Sequence, residues 1–279
     1  MGVITRRIDT GTVDASAAAA IEVAEARAWE DCYAAAPADF ADAAGVGFRT
    51  VAGALVIRWA ATGRRYFSRA IGLGVSEPAT EAAIDDILAG YREAGIDMFL
   101  LQSLPHCRPA EYEGWLRERG LEPFDAQDRV FRDGRPAAPA PGPVERVTRE
   151  SAGEWAEFLQ RIYRLDTGPW LEQLIGRPGW HEYVYRDGGE IVAARGMLIG
   201  PDGAAWLGMD GPVPGIMSDD YAPDAAMCEF IVADGLANGA RSFLADIEAP
   251  SAEMDTPAYR YFGELGFTRP YVQTHWARL

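Results

Sequence analysis

Residues 258–276 read AYRYFGELGFTRPYVQTHW, and this stretch near the end of the chain decides the fold. Its first part predicts a short helix that stops at Gly266, because glycine readily adopts the left-handed conformation that ends helices. The alternating run that follows predicts a final strand. Alternation places two sets of side chains on opposite faces of that strand, namely Tyr271, Gln273 and His275 on one face and Val272, Thr274 and Trp276 on the other.

The same order of elements occurs before the middle of the chain. In each half, a helix ended by glycine precedes a buried apolar strand, a second helix ended by glycine and a last strand. We interpret this repetition as a tandem duplication of one domain. The four elements occupy residues 79–95, 96–105, 110–120 and 121–134 in the first half, and residues 223–239, 240–250, 256–266 and 267–279 in the second half.

A proline-rich segment divides the two halves. Residues 135–144, RPAAPAPGPV, cannot hold a helix or a central strand because proline lacks a backbone donor. We therefore predict an N-terminal domain at 1–135, a linker at 136–144 and a C-terminal domain at 145–279. Residues 181–210 contain the turns DGG and PDG between three apolar runs, which predicts a three-stranded antiparallel meander. The predicted fold class is α/β (α+β), with a mixed, mostly antiparallel sheet flanked by helices in each domain.

The composition limits the classes of partner. All 26 basic residues are arginine and 42 residues are acidic, so the formal net charge is −16. This charge repels nucleic acid and anionic membranes at long range, and we expect neither as a partner. No apolar run reaches the ~18 residues of a membrane span, and the N-terminus has no apolar signal core. The use of arginine alone among the basic residues, with the alanine-rich composition, suggests a GC-rich bacterial genome. The cysteines are far apart and the histidines lack metal-ligand spacing, so we expect a cytoplasmic protein without a metal site.

The terminal helix and strand resemble a motif of the GNAT (Gcn5-related N-acetyltransferase) superfamily. In that family a helix with the pattern N-x-x-A-x-x-L-Y-x-x-L-G-F precedes the last strand and packs beside the acyl-CoA. The resemblance implies a tandem GNAT protein with one degenerate half. It also implies an acyl-CoA-dependent N-acyltransferase that acts on a small amine, with acetyl-CoA or another acyl-CoA as cofactor. The positions that match or occupy the pattern are Asp255, Ala258, Tyr261, Phe262, Leu265, Gly266 and Phe267.

The resemblance places a pyrophosphate loop before the helix at 223–239. Backbone N–H groups of such a loop approach phosphate at a helix N-terminus. In this chain the loop falls on residues 219–224, with Asp219 in place of arginine and Asp224 in place of the last glycine. Asp224 also suits the N-cap of a helix that begins at Ala225. The cofactor-binding positions that the resemblance implies are Val213, Pro214, Ala222, Asp224, Ala225, Asp255 and Phe262.

Carboxylates in this loop oppose phosphate on a chain that is already negative. We therefore predict that acetyl-CoA binds weakly, with a dissociation constant well above micromolar. The corresponding residues of the first half, 75–80, read VSEPAT and have neither the arginine nor the glycines of the pattern.

The family's usual acid is a tyrosine at the position of Phe262, which has no proton to give. Tyr259 lies three residues earlier and shares the same helix face, whereas Tyr261 lies about 100° around the helix and should point elsewhere. Asp210 and Glu248 follow or end predicted strands, and both are candidate general bases for amine acylation.

Asp246 alternates with Glu248 and so shares its face, which predicts an acid pair that raises one pKa. Residues 164–180, RLDTGPWLEQLIGRPGW, are a candidate cover over the acceptor site. Two alternatives stay open. The chain could be a GNAT-fold enzyme that has lost CoA binding and does other chemistry or uses a carrier-bound acyl group, or a non-catalytic GNAT-like binding protein. The acceptor, the acyl donor, the active half and the oligomeric state are also open.

Overall fold

The computed structural model describes residues 8, 10–137, 142–212, 222–248 and 258–279. These residues form two compact units. The N-terminal unit comprises Thr12–Asp128 and Tyr271–Leu279, and the C-terminal unit comprises Arg129–Pro270 with the described residues before Thr12. Each unit is a mixed sheet flanked by helices, so the predicted fold class is confirmed.

The N-terminal unit builds its sheet from an antiparallel meander and one parallel neighbour. Strands β1, β2 and β3 pair antiparallel in that order, and β3 pairs parallel with β4 after the chain has crossed through α3. The elements are α1 (Ala15–Ala34), α2 (Ala38–Ala44), β1 (Val46–Val51), β2 (Ala54–Trp59), β3 (Arg69–Ile71), α3 (Glu81–Glu93), β4 (Leu100–Ser103) and α4 (Tyr112–Glu118), with 3₁₀ turns at Ala60–Thr62 and Arg65–Phe67.

The C-terminal unit repeats this plan, and the predicted meander is confirmed. Its antiparallel strands pair in sequence order, and the last of them pairs parallel with a strand that follows a long helix. The chain enters through β5 (Glu122–Asp133) and forms β6 (Val144–Arg146), α5 (Ala152–Tyr163), β7 (Trp180–Asp187), β8 (Glu190–Ile199), β9 (Ala204–Pro212), α6 (Ala222–Ala237), β10 (Ser242–Glu248), α7 (Ala258–Glu264) and β11 (Thr268–Ala277), with a 3₁₀ turn at Leu171–Leu174.

The last strand completes the sheet of the N-terminal unit. β11 begins in the C-terminal unit, but its residues 271–277 belong to the N-terminal unit. Residues 274–276 pair antiparallel with β4, with His275 opposite Gln102. Likewise, residues 129–133 of β5 belong to the C-terminal unit. The two halves of the sequence therefore exchange their final strand segments.

The compact units are thus not the two sequence halves on either side of the linker. The boundaries 1–135, 136–144 and 145–279 stay a prediction about the duplicated sequence domains. Residues 138–141 of the linker lie outside the described part of the chain. Among the helices that the structure describes, none combines the length and the apolar character needed to span a bilayer.

In the N-terminal unit, α1 covers a sheet face that carries polar side chains. Glu22 of α1 is 1% exposed and accepts hydrogen bonds from the Tyr271 hydroxyl at 2.7 Å and the Gln273 amide at 2.9 Å. Arg69 of β3 forms a buried ion pair with Glu25 of α1 at 3.0 Å. Buried charges are stable only when they are paired, so these contacts fix the register of the last strand.

In the C-terminal unit, helices cover both faces of the sheet. Ala193 of β8 packs in the apolar cluster with α6. Its neighbour Ala194 pairs with Gly211, and a Cβ at that glycine would contact Ile162 of α5 at 3.0 Å. Because successive side chains of a strand alternate, α5 and α6 lie on opposite faces of this sheet.

Candidate active site

β9 and β10 separate after a short parallel pairing. The register begins at Ala204 of β9 and, within the described residues, ends at Trp206. β9 continues to Pro212 along β8, while β10 continues to Glu248. Beyond Trp206 the described residues of the two strands form no ladder with each other. We call this stretch between the facing strand edges the slot, since an extended group with amides can bond to such edges.

A bulge in β9 lies beside this slot. Met209 and Asp210 together oppose the single residue Arg195 of β8, and Met209 has a left-handed φ of 50°. This φ is strained for a residue other than glycine, and bulges re-aim side chains beside functional sites. The Tyr163 hydroxyl at the end of α5 donates to the Asp210 carbonyl at 2.6 Å and holds the bulge in place.

Arg195 is a buried cation between carboxylates. Its side chain is 2% exposed and donates to Asp210 at 3.0 Å and to Asp224 at 3.1 Å. The Tyr261 hydroxyl also donates to Asp224. Burial lowers the pKa of Arg195, but the neighbouring carboxylates more than offset this effect and raise it above its ordinary value. Burial raises the pKa of Tyr261, so both groups keep their protons at neutral pH.

The position of Asp224 in this cluster shows that its predicted role as a helix N-cap is wrong. Helix α6 begins at Ala222, so Asp224 lies in its first turn and is not the N-cap of a helix that begins at Ala225. The Asp224 side chain is held by Arg195 and Tyr261 instead. A buried guanidinium without carboxylate partners costs more free energy than a missing cap, so the long-range ion pair decides the local geometry.

The other predicted cofactor positions are described in part. Ala222 is exposed and Ala225 is half-buried in the first turn of α6. Phe262 of α7 is fully buried, with its ring centroid 4.8 Å from that of Phe267 and 5.8 Å from the Arg195 guanidinium. Outside the described residues lie Val213, Pro214, Asp219, Asp220 and Asp255, and outside the described side chains lie Tyr259 and Glu248.

Among the predicted acids, Asp210 is the one that the structure places beside the slot. Its side chain is 48% exposed, so solvent and small molecules can reach it. Asp246 forms an ion pair with the buried Arg129 at 2.8 Å. Its charge is therefore compensated, and the repulsion predicted between Asp246 and Glu248 is weakened.

A buried carboxyl group that the sequence analysis missed lies on β7. Glu182 is 2% exposed, and neither of its carboxyl oxygens has a hydrogen-bond partner among the described residues. Burial raises the pKa of Glu182 from the ordinary value of 4.5 to about 8. The available signal was the alternation of Trp180, Glu182 and Val184, which puts an acid between two apolar residues on the same strand face.

In the N-terminal unit, the loop before α3 corresponds to the predicted pyrophosphate loop, and Arg108 occupies it. The Ala79 N–H donates to the Arg108 carbonyl at 2.7 Å, and the Arg108 N–H donates to the Gly74 carbonyl at 2.8 Å. The Arg108 guanidinium donates to the carbonyls of Val75 and Ser76, both at 3.1 Å. A phosphate group at this helix end would have to displace Arg108.

Comparisons with known proteins agree with this geometry at the level of the fold. No protein-family model matches the chain, and no curated protein matches it. A GCN5-related N-acetyltransferase from Kribbella flavida is similar with a TM-score of 0.59 and 14% identity, over 95% of this chain and 96% of that one. A GCN5-related N-acetyltransferase from Sphaerobacter thermophilus is similar with a TM-score of 0.51 and 14% identity, over 80% and 79% of the two chains.

The chain therefore has the fold of the GNAT superfamily, and the predicted resemblance is confirmed. The likeness includes a tandem GNAT protein from the clavulanic acid biosynthesis pathway. That structure has a TM-score of 0.51 and 14% identity, over 82% of this chain and 78% of its own. At this identity the likeness describes the fold, and the function has to be argued from the site.

Proposed function

We propose that the C-terminal unit is an acyl-CoA-dependent N-acyltransferase that acts on a small amine. The observation that carries this proposal is the slot between β9 and β10 with the bulge at Met209 and Asp210 beside it. Backbone donors and acceptors along the two strand edges suit the amides of a pantetheine arm. Acyl-CoA would supply the thioester whose carbonyl carbon is attacked by the acceptor amine.

The residues around the slot fit such a cofactor. α6 has 16 residues, and the N-terminus of a helix attracts phosphate through its dipole and its free N–H groups. Arg195 compensates Asp224, so this carboxylate opposes phosphate less than its sequence position suggests. We propose that the cofactor is held by the edges of β9 and β10, by Ala222 and Ala225, and by the predicted positions Val213, Pro214 and Asp255. The Phe262 side chain is fully buried in the apolar cluster, so it supports α7 from the inside.

Asp210 is the proposed general base. An ammonium group must lose a proton before its nitrogen can attack a thioester, and a carboxylate can accept that proton directly or through water. The hydrogen bond from Arg195 orients the Asp210 carboxylate, and the hydrogen bond from Tyr163 fixes its backbone. Glu248 stays a second candidate base at the end of the neighbouring strand.

The departing thiolate cannot take a proton from Phe262. The hydroxyl of the adjacent Tyr261 is bound to Asp224, and burial raises its pKa, so it serves the ion-pair cluster. Tyr259 is the proposed acid on this helix, and solvent is the other source of a proton.

The N-terminal unit is proposed not to bind the cofactor, because Arg108 occupies the matching loop.

A carrier-bound acyl donor is the alternative to free acyl-CoA. The acidic residues Asp219 and Asp220 favour it, since a carrier can bring binding energy from outside the pyrophosphate loop.

Release of free thiol from acetyl-CoA and longer acyl-CoAs, in the presence of a panel of small amines, tests the proposal. The wild-type protein should release CoA only when an amine is present, and Asp210→Asn should lower kcat by roughly 10²–10⁴-fold. Asp187→Asn changes an exposed acid at the end of β7 and is the matched control with unchanged activity. Absence of transfer with every donor and amine would refute acyl-CoA dependence, and full activity in Asp210→Asn would exclude Asp210 as the base.

A further inference from the structure

Glu182 is a buried acid that no structural requirement of the sheet explains. Its carboxyl oxygens have no hydrogen-bond partner within the described residues, although the side chain is almost fully buried. An unpartnered polar group in a protein interior lowers stability, and an apolar residue of similar size would be more stable there. Such a group in a native structure calls for an explanation, and a bound partner is one.

The strands beside Glu182 make room for its carboxyl group. Glu182 pairs with Gly196 of β8, which in turn pairs with Gly208 of β9. A Cβ at Gly196 would collide with the Glu182 carboxyl group, and a Cβ at Gly208 would collide with the Trp206 ring. The Trp206 and Trp180 rings contact each other edge-on with their centroids 6.3 Å apart. A carboxyl group beside indole rings is an environment that suits an organic cation.

The position of Glu182 separates it from the site of acyl transfer. Glu182 is on β7, whereas the bulge and the slot are on β9, two strands away. Neighbouring strands lie about 4.8 Å apart, so roughly 10 Å separates the backbone at Glu182 from that of β9. Glu182 and Asp210 thus stand on different strands and offer two separate carboxyl groups to a ligand.

Tyr163 at the end of α5 lies near Glu182. Burial raises the pKa of Tyr163 most, the Asp210 charge adds to this, and the Glu182 charge makes a smaller contribution. The following residues, 164–180, are the predicted cover of the acceptor site. Arg164 and Gly176 in this segment have left-handed φ angles of 52° and 81°. The segment thus connects Glu182 to the slot without a regular helix between them, apart from one 3₁₀ turn.

We propose that Glu182 binds a positively charged group of the acceptor at the end remote from the acylated nitrogen, so that the acceptor is a dibasic small molecule. This inference rests on the proposed function of the C-terminal unit. Without a ligand, the carboxyl group is neutral at pH 7, because burial raises its pKa to about 8. A bound cation favours the ionised form, so binding releases a proton to solvent.

Calorimetric titration with α,ω-diamines of three to eight carbons and with n-alkylamines of matched length tests the proposal. In phosphate and in Tris buffer at about pH 7, the difference in binding enthalpy measures the proton release. The wild-type protein should bind the best diamine roughly tenfold more tightly than its matched monoamine, with release of close to one proton. Glu182→Gln keeps the shape of the side chain but cannot ionise, so it should lose both the preference and the proton release.

Glu190→Gln removes the same formal charge from an exposed position on the same hairpin and should behave as wild type. Equal affinity of the wild-type protein for diamines and monoamines, or an unchanged preference in Glu182→Gln, would overturn the proposal. Because these titrations contain no acyl-CoA, they report on Glu182 separately from acyl transfer. Diamine binding without any transfer would refute the proposed function and leave this cation site in place.

Discussion

Replacing Glu182 by glutamine should stabilise the protein, and the gain should grow with pH. Burial raises the pKa of Glu182 from 4.5 to about 8, and each pKa unit corresponds to about 1.4 kcal/mol. Between these two values the folded protein holds a proton that the unfolded chain has released. The free energy of unfolding of the wild-type protein therefore falls as pH rises through this window. Glutamine is neutral in both states and does not contribute this slope.

The expected magnitude follows from the width of the pH interval. Between pH 6 and pH 8, the stability of Glu182→Gln relative to wild type should increase by about 2.3 kcal/mol, because the slope flattens as the folded protein itself loses the proton near pH 8. This difference is measured by urea unfolding of both proteins at three pH values, with circular dichroism as the signal. Glu190→Gln is the control, because its exposed side chain should give a nearly constant difference from wild type. A pH-independent difference for Glu182→Gln would show that the Glu182 carboxyl group has a charged or hydrogen-bonding partner in the folded protein.

Three further substitutions test the buried polar contacts by urea unfolding at neutral pH. Arg195→Met should lower the free energy of unfolding by about 3 kcal/mol because it leaves Asp224 without its cation, and a loss below about 1 kcal/mol would argue against the ion pair. Tyr261→Phe should cost about 1.5–3 kcal/mol through loss of a hydrogen bond to a carboxylate, whereas an unchanged midpoint would mean that this hydroxyl does not reach Asp224. Gln273→Leu should cost about 1–3 kcal/mol because it leaves part of Glu22 unpaired, and neutral behaviour would place the last strand elsewhere.

Local signals in the sequence predicted the elements at the end of the chain. The helix forms at Ala258–Glu264, Gly266 has a left-handed φ of 82°, and the final strand follows at Thr268–Ala277. The prediction that Tyr271, Gln273 and His275 share one face is supported by their partners in the N-terminal unit, since the first two bind Glu22 and the third pairs with Asp125. These features depend on the nearest residues, which is why a single sequence reveals them.

The partner of the last strand could not be predicted, because strand pairing depends on residues far away in the chain. Residues 274–276 pair with β4, which lies in the other sequence half. The wrong prediction of an N-cap at Asp224 also arises from a contact between residues far apart in the chain. Arg195 lies on a strand of the meander, and no local pattern connects it to α6. Local propensity predicts caps and turns, whereas the ion pair is formed only when the sheet and the helix pack together.

Glu182 shows a different limit of the sequence analysis. The turns in the sequence predict the meander, but they do not show which face of β7 is covered, so the acid on that face stands out only in the structure. Gly196 and Gly208 lie beside it only because of the strand register, which the structure supplies. An acid at an inward position of an otherwise apolar alternation is a usable signal when the sheet faces are assigned first.

Hydrogen–deuterium exchange with and without acetyl-CoA is the most direct test of the claim that the C-terminal unit binds acyl-CoA between β9 and β10. Since binding should be weak, the ligand should be present at about millimolar concentration. Binding in the slot should slow exchange at residues 206–212, in the first turns of α6 and at residues 244–248. Exchange at residues 74–80 should not change, because Arg108 fills the matching loop there. Protection of residues 74–80, or no protection along β9 and β10, would contradict binding of acyl-CoA between β9 and β10.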